Sequence, residues 1–291
     1  MKSIDGPADG AELRDFLHEI KIMSYIKPHP FLVSMIGSCC SDEGENREMW
    51  LIIEYCPNCD LKSYLIENKQ QILSERENSS VNHRCLIYWL YEISKGMEYL
   101  AQNKIMHGDL AARNVLLDDN LIQPGPPIAK IADFGLSKKF YKNVKYNKES
   151  RVFVPWRWMA MEYLIDGYFT MTSDVWSFGV VLWEIFSLGK LPYGHQDYED
   201  VLKNLEDGYR LPCPQDVSEI IRWFPVKIYN SLSQICFKED PKERGTFNDL
   251  VKIIEDELTD KEKFKYEALS KKYYEHRSHK YMNIGKFEYA T

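Results

Sequence analysis

The stretch SDVWSFGVVLWEIF, residues 173–186, is apolar on nearly all sides when wound at helical spacing. A helix without a polar face is stable only when other elements surround it, so this chain must bury it inside a large helical body. The length of 291 residues and a content of 44% hydrophobic and 28% charged residues suit such a body and exclude a disordered chain. Lys and Arg number 37 against 44 Asp and Glu, a net charge of −7 that argues against a general nucleic-acid binder. The charge is uneven: residues 260–291 carry eight basic and five acidic side chains, so a basic, Tyr-rich tail follows an acidic body. No run of about 18 uncharged apolar residues is present, and no membrane span is expected. The polar start MKSIDGPADG lacks the apolar centre of a signal peptide, and the seven scattered cysteines read as reduced thiols in the cytosol.

Leu13, Phe16, Leu17, Ile20, Met23 and Ile26 recur at helical spacing and predict an amphipathic helix over 11–26, stopped by Lys27-Pro28-His29-Pro30. The runs FLVSMIG (31–37) and MWLIIEY (49–55) predict an antiparallel strand pair. A short helix is expected over 60–68, a polar surface insert over 69–83, and a long amphipathic helix from Cys85 to Asn103. NVLLDD and IAKIADF bracket Pro124-Gly125-Pro126-Pro127, which cannot lie inside a strand, so a hairpin with an enlarged loop is predicted. Residues 136–157 show no period, and helical material returns from about 198 to 257. A few strands followed by many helices predict an α+β fold with segregated layers.

The block His107-Gly108-Asp109-Leu110-Ala111-Ala112-Arg113-Asn114, followed by Asp133-Phe134-Gly135, resembles the catalytic loop and metal motif of the protein kinases. The resemblance covers about 11–257 and implies a two-lobe kinase fold: a partial small lobe and hinge over 1–56, a mostly helical large lobe over 57–258, and the tail over 259–291. It implies ATP and Mg²⁺ as the nucleotide and metal, with Asp109 accepting the acceptor-hydroxyl proton and Asn114 and Asp133 supplying hard oxygen ligands to Mg²⁺. The Asp-Leu-Ala-Ala-Arg-Asn run, with Arg113 beside the base, is similar to the tyrosine-specific branch. So is Val154-Pro155-Trp156-Arg157-Trp158-Met159-Ala160, which resembles a P-V-K-W-M-A platform for a phenol side chain. The resemblance further implies that Glu19 pairs with an ATP-contacting lysine and that Ile53 is the gatekeeper. It places Glu54 and Cys56 at the adenine through their backbone, Leu116 under the base, Asp174 as a brace for the catalytic loop, and Glu162 with Arg244 as an ion pair. It also implies protein substrates with tyrosine acceptors, and phosphotyrosine-binding adaptors at Tyr146 or the tail tyrosines. The implied site of action is cytoplasmic, at the inner face of the plasma membrane if the chain belongs to a receptor.

Four departures qualify the resemblance. Gly108 stands where the family has Arg, which removes a partner for a phosphorylated Tyr146. Met161 and Gly245 stand where proline is usual, and the hairpin loop stretches the path from Asp109 to Asp133 to 24 residues. No G-x-G-x-x-G precedes the first helix, so an N-terminally truncated small lobe with one helix and two strands is expected. The sole candidate for the ATP-contacting lysine is Lys2, 17 residues before Glu19, with only Met1 ahead of it to build a strand. The competing reading is a catalytically impaired scaffold. The tail is expected to be a solvated basic extension, with EKFKYEALSKKYYEH compatible with a helix and its tyrosines with phosphotyrosine docking as the alternative.

Overall fold

Helix 173–186 is buried along almost its whole length, with Trp176, Phe178, Val180, Val181, Leu182 and Ile185 at or near zero exposure. The computed structural model describes residues 2–4, 10–40, 48–73, 84–119, 125–139, 144–145, 154–214 and 226–284. In chain order these give β1 (Lys2–Ile4), α1 (Gly10–Tyr25), β2 (Met35–Cys40), β3 (Met49–Ile53), α2 (Leu61–Glu67), α3 (Lys69–Ile72) and α4 (Arg84–Gln102). They continue with β4 (Ile105–Met106), β5 (Val115–Asp118), β6 (Ile128–Ile131), β7 (Lys138–Lys139), β8 (Val144–Lys145), α5 (Met161–Asp166), β9 (Tyr168–Phe169) and α6 (Ser173–Phe186). Helices α7 (Tyr198–Glu206), α8 (Val226–Cys236), α9 (Phe247–Glu255) and α10 (Asp260–Ile284) complete them. Tyr141, Tyr146, Asn78-Ser79-Ser80 and Tyr289 lie outside the described residues.

The α+β segregation is observed: β1, β2 and β3 form one antiparallel sheet beside α1, and helices dominate the chain beyond β3. The order is β1-β3-β2, one strand more than the two expected. Lys2 pairs with Leu51 and Ile4 with Met49, so three residues suffice for an edge strand when a neighbour supplies the ladder. β2 starts at Met35 rather than Phe31. Residues 31–33 instead bond to β6, Val33 N–H to Ile131 and Ile131 N–H to Phe31, and their side chains are buried. β5 and β6 form the expected hairpin, with Val115 opposite Ile131.

Local chemistry fixes the helix ends. Asp60 caps α2 by accepting from Ser63 N–H, and Thr246 with Asp249 forms a reciprocal capping box at α9. Helix α4 turns Leu86, Trp89, Leu90, Ile93, Met97 and Leu100 into the core against α9 and α6.

The tail departs from expectation. It is no solvated extension: Asp260–Ile284 is helical, and Tyr266 and Leu269 pack on a small apolar cluster with Phe31 and Ile128. The pattern hid this because α10 is polar on average, while its contact stripe is only one residue wide per turn.

Glu162 and Arg244 form the ion pair expected of them, at 2.9 and 3.1 Å, with the Arg244 side chain fully buried. Arg244 also donates to Thr172 and Lys238 carbonyls, so its buried charge is fully engaged. Glu162→Ala removes the counter-charge and leaves the cation behind. Urea denaturation is expected to show a loss of about 3–5 kcal/mol, and a change below about 1 kcal/mol would contradict the account.

Candidate active site

The site begins where α4 ends. After β4 the chain turns through His107–Arg113 into a short 3₁₀ turn, Ala112–Asn114, and then β5. His107 is fully buried. Its Nδ1 accepts from Asp109 N–H at 3.2 Å, so the ring proton sits on Nε2 and is donated to the Ala132 carbonyl at 3.1 Å. Burial pushes the imidazole down to about 4, which keeps it neutral.

Asp174, in the first turn of α6, braces this loop. Its carboxylate accepts from His107 N–H at 2.8 Å and Gly108 N–H at 3.0 Å. Burial pushes Asp174 up to about 6 against those two hydrogen bonds. Gly108 has φ +80°, and a Cβ there would lie 2.9 Å from the Leu136 carbonyl oxygen. This backbone suits glycine and strains any larger residue, including the arginine the resemblance expects.

Asp109, Arg113 and Asn114 converge. Arg113 donates to one Asp109 oxygen at 2.5 Å and Asn114 Nδ2 to the other at 2.8 Å. Burial pushes Asp109 above the ordinary aspartate value, with the Arg113 charge and the Asn114 hydrogen bond opposing it. The Arg113 guanidinium also lies 4.2 Å over the Trp158 ring.

Lys2, Glu19 and Asp133 form a second cluster. Lys2 Nζ lies 2.9 Å from both Glu19 oxygens and 3.1 Å from Asp133 Oδ1. Thus Lys2, which the sequence left with barely a strand to stand on, is held by β3 and pointed at the first helix. Burial opposes its charge, yet the Glu19 hydrogen bond and the Asp133 and Glu19 carboxylates outweigh it and raise its pKa. For Asp133, burial is likewise outweighed, here by Lys2 and by Gly135 N–H, and its carboxyl falls below the usual value. Asp133 adopts φ +61°, a rare conformation that turns its carboxylate toward the lysine. Phe134 beside it is fully buried against His107. Ala132 N–H donates to the Asn114 carbonyl at 2.8 Å, which ties the two clusters together.

The remaining expected residues line the sheet side. Lys2, Leu51 and Ile53 share one face of the sheet, by direct pairing and period-two alternation. Leu116 lies in β5 opposite Lys130. Glu54 N–H is bound to the Ser34 carbonyl at 2.8 Å. Among the described residues, no hydrogen-bond partner meets the Cys56 N–H and carbonyl. The Cys56 thiol is pushed up to about 12 by burial, so it is no nucleophile.

Two residues carry no motif that marks them in the sequence. Glu184 in α6 accepts from Ala112 N–H at 2.9 Å and Trp158 Nε1 at 2.8 Å, fastening the loop's other end. Its one signal is a carboxylate in the apolar run that ends helix α6. Lys130 pairs with Glu54 at 2.6 Å and with Asp118 at 3.3 Å behind the hinge. Nothing in the local pattern of IAKIADF singles it out.

For a metal, the residues the sequence points to, Asn114 and Asp133, would offer one amide and one carboxylate oxygen, both hard donors of the kind Mg²⁺ takes. Among the described residues no group of three or more His, Cys, Asp or Glu is placed to hold a metal alone, so phosphate and water oxygens would complete its shell.

A loop carrying a carboxylate, an arginine and an asparagine, facing a lysine that bridges two acids at a sheet-to-helix junction, defines a protein-kinase site. The sequence model for protein tyrosine and serine/threonine kinases matches residues 1–254, and the chain belongs to that family. Its relatives are receptor tyrosine kinases. The fibroblast growth factor receptor of Ciona intestinalis is 35% identical over 276 residues, 91% of this chain and 34% of the receptor. Fibroblast growth factor receptor 1 of Xenopus laevis is 33% identical over 262 residues, 88% of this chain and 30% of that receptor. Vascular endothelial growth factor receptor 3 of Danio rerio is 33% identical over 300 residues, 89% and 21% respectively. The chain thus spans about a third or less of these receptors' length. No described helix is long and apolar enough to cross a membrane.

Lys2→Met deletes the cation beside the nearly buried Glu19. Amide hydrogen exchange in α1 is expected to accelerate by at least about threefold, whereas unchanged exchange would show that the pair does not anchor the helix.

Proposed function

We propose that this chain is an ATP- and Mg²⁺-dependent protein-tyrosine kinase acting in receptor-type signalling on the cytoplasmic side of the membrane. The observation that carries the reading is the convergence of Arg113 and Asn114 on Asp109, across from Lys2 bridging Glu19 and Asp133.

Each residue has a separate part in the transfer. Asp109 accepts the proton of the acceptor hydroxyl as its oxygen attacks the γ-phosphorus and the bond to the β–γ bridging oxygen breaks, releasing ADP. Arg113, over the Trp158 ring, holds the Asp109 carboxylate in place and lowers its basicity. Lys2, oriented by Glu19, neutralises phosphate charge. Asn114 and Asp133 would hold Mg²⁺, which would supply electrostatic stabilisation to the charge on the phosphate oxygens. Cys56 N–H and carbonyl, with the Glu54 carbonyl, receive the adenine between Ile53 and Leu116. The depressed Asp133 carboxyl is ionised at any physiological pH, as a metal ligand must be.

A phenol acceptor is favoured over a Ser or Thr hydroxyl by Ala111-Ala112-Arg113. The run lacks the lysine usual two residues after the base in Ser/Thr enzymes, and it places Arg113 beside the acceptor. Partners would be proteins with tyrosine acceptors, and phosphotyrosine-binding adaptors at Tyr146. Of the tail tyrosines, Tyr266 hydrogen-bonds Glu92 within the fold, which argues against its use as a docking site.

The parent chain with Mg·ATP is expected to phosphorylate a poly-Glu/Tyr polymer, and Asp109→Asn to abolish the product. No transfer by the parent, with melting indifferent to nucleotide, would favour the non-enzymatic scaffold instead.

Burial sets the acid limb of the pH–rate profile above the ordinary aspartate range of about 3.9, with activity lost as pH falls through the Asp109 pKa. Because Arg113 lowers that pKa, Arg113→Ala is expected to move the limb to higher pH. A limb that stays in place would remove Asp109 as the base or Arg113 as its partner.

A further inference from the structure

Helix α10 contributes nothing to the proposed transfer, yet it is fastened to the body at four successive points. Glu262 accepts from Arg84 at 3.0 and 2.7 Å and from the Tyr88 hydroxyl. Tyr266 donates to the buried Glu92 at 2.9 Å, and its ring packs against Phe31, Tyr88 and Tyr91. Leu269 packs with Phe31 and Ile128. Tyr273 presents its ring face to the Lys130 ammonium at 5.3 Å and its hydroxyl to Ser34 Oγ at 3.3 Å. The spacing of these four residues, four, three and four apart, forms one stripe along the helix.

The last contact matters most. Lys130, whose side chain is only 4% exposed, is the cation that holds the Glu54 carboxylate at 2.6 Å. The other Glu54 oxygen accepts from Ser34 N–H at 3.2 Å, and Glu54 N–H donates back to the Ser34 carbonyl. Glu54 is the first residue of the segment read as the nucleotide hinge. Tyr273 therefore touches two of the groups that hold Glu54: Lys130 from the hairpin and Ser34 from the stretch leading into β2. A desolvated ammonium over an aromatic face is held more firmly than one facing water. A helix already anchored at Glu262, Tyr266 and Leu269 delivers that ring with little loss of freedom.

We propose that α10 is a strut behind the hinge and that Tyr273 is a positioning residue, setting the geometry of Glu54–Cys56 through Lys130 and Ser34. The effect on nucleotide rests on the kinase reading, while the mechanical effect does not.

The test uses the full chain with Tyr273→Ala and Tyr273→Phe. In the alanine variant, exchange of the Val33, Glu54 and Ile131 amides is expected to rise by at least about threefold while α6 is unchanged. The KM for ATP is expected to rise by about three- to tenfold with kcat within about twofold. Phenylalanine keeps the ring over Lys130 and is expected to restore most of both. Unchanged exchange at those three amides in the alanine variant would overturn the strut, as would faster exchange spread through α6, or a phenylalanine variant no better than alanine. Should the parent prove inactive, the exchange result alone decides the strut, and the kinase reading falls separately.

Discussion

The carboxylate of Asp174, taking two backbone N–H groups from the Asp109 loop, is the interaction on which the rest of the site depends. Burying a carboxylate is costly, and its raised pKa records that cost, but two charge-assisted hydrogen bonds offset it and leave the loop one conformation. Ten residues further along the same helix, Glu184 takes Ala112 N–H and the Trp158 indole. Those ten residues span about 15 Å of helix, so α6 holds both ends of the loop from one rigid, fully packed element. The helix that the sequence required to be buried is thus the ruler against which Asp109, Arg113 and Asn114 are set.

The upper part of the site adds charge to packing: Phe16, Ile22, Met23 and Leu51 anchor its helix and sheet in the core, and an ion cluster joins them to the Asp133 loop. Lys2 comes from an edge strand, Glu19 from a helix and Asp133 from a loop in a rare backbone conformation; the ammonium bridges the two carboxylates, and His18 on the same helix bonds the Ser137 carbonyl of that loop at 2.8 Å. Each group loses hydration there, and for Lys2 and Asp133 mutual attraction exceeds that loss. Such a junction loosens readily when one partner is removed. The α10 contacts at Ser34 and Lys130 would steady it from behind, where the proposed adenine segment meets the helical body.

Much of this was legible in the sequence, and the rest was not for physical reasons. Periodicity located α1, α4 and α6 to within a residue or two because each buries a broad face. The hairpin was legible from the Pro/Gly cluster between two apolar runs. The motif spacing singled out Asp109, Arg113 and Asn114, and the structure places them in contact. Strand β1 was invisible because three residues carry no period and its ladder comes from β3. Residues 31–33 read as strand, yet their ladder is with β6, a partner nearly a hundred residues away. The tail was misread because its mean polarity masks the stripe of Glu262, Tyr266, Leu269 and Tyr273. Glu184 and Lys130 matter through partners distant in sequence, which a local reading does not weigh.

Under the proposed function, oxygens of Asn114 and Asp133 and the oriented Lys2 would recruit a metal-bound nucleotide, with its adenine seated at Glu54–Cys56. Isothermal titration with ADP, with Mg²⁺ and with Mg²⁺ removed by chelation, then repeated on Asp133→Ala, tests it most directly. The account predicts saturable binding by the parent with Mg²⁺ that weakens at least about tenfold, ~1.4 kcal/mol, both without the metal and in the variant. Equal affinity under all three conditions, or no binding by the parent, would contradict it.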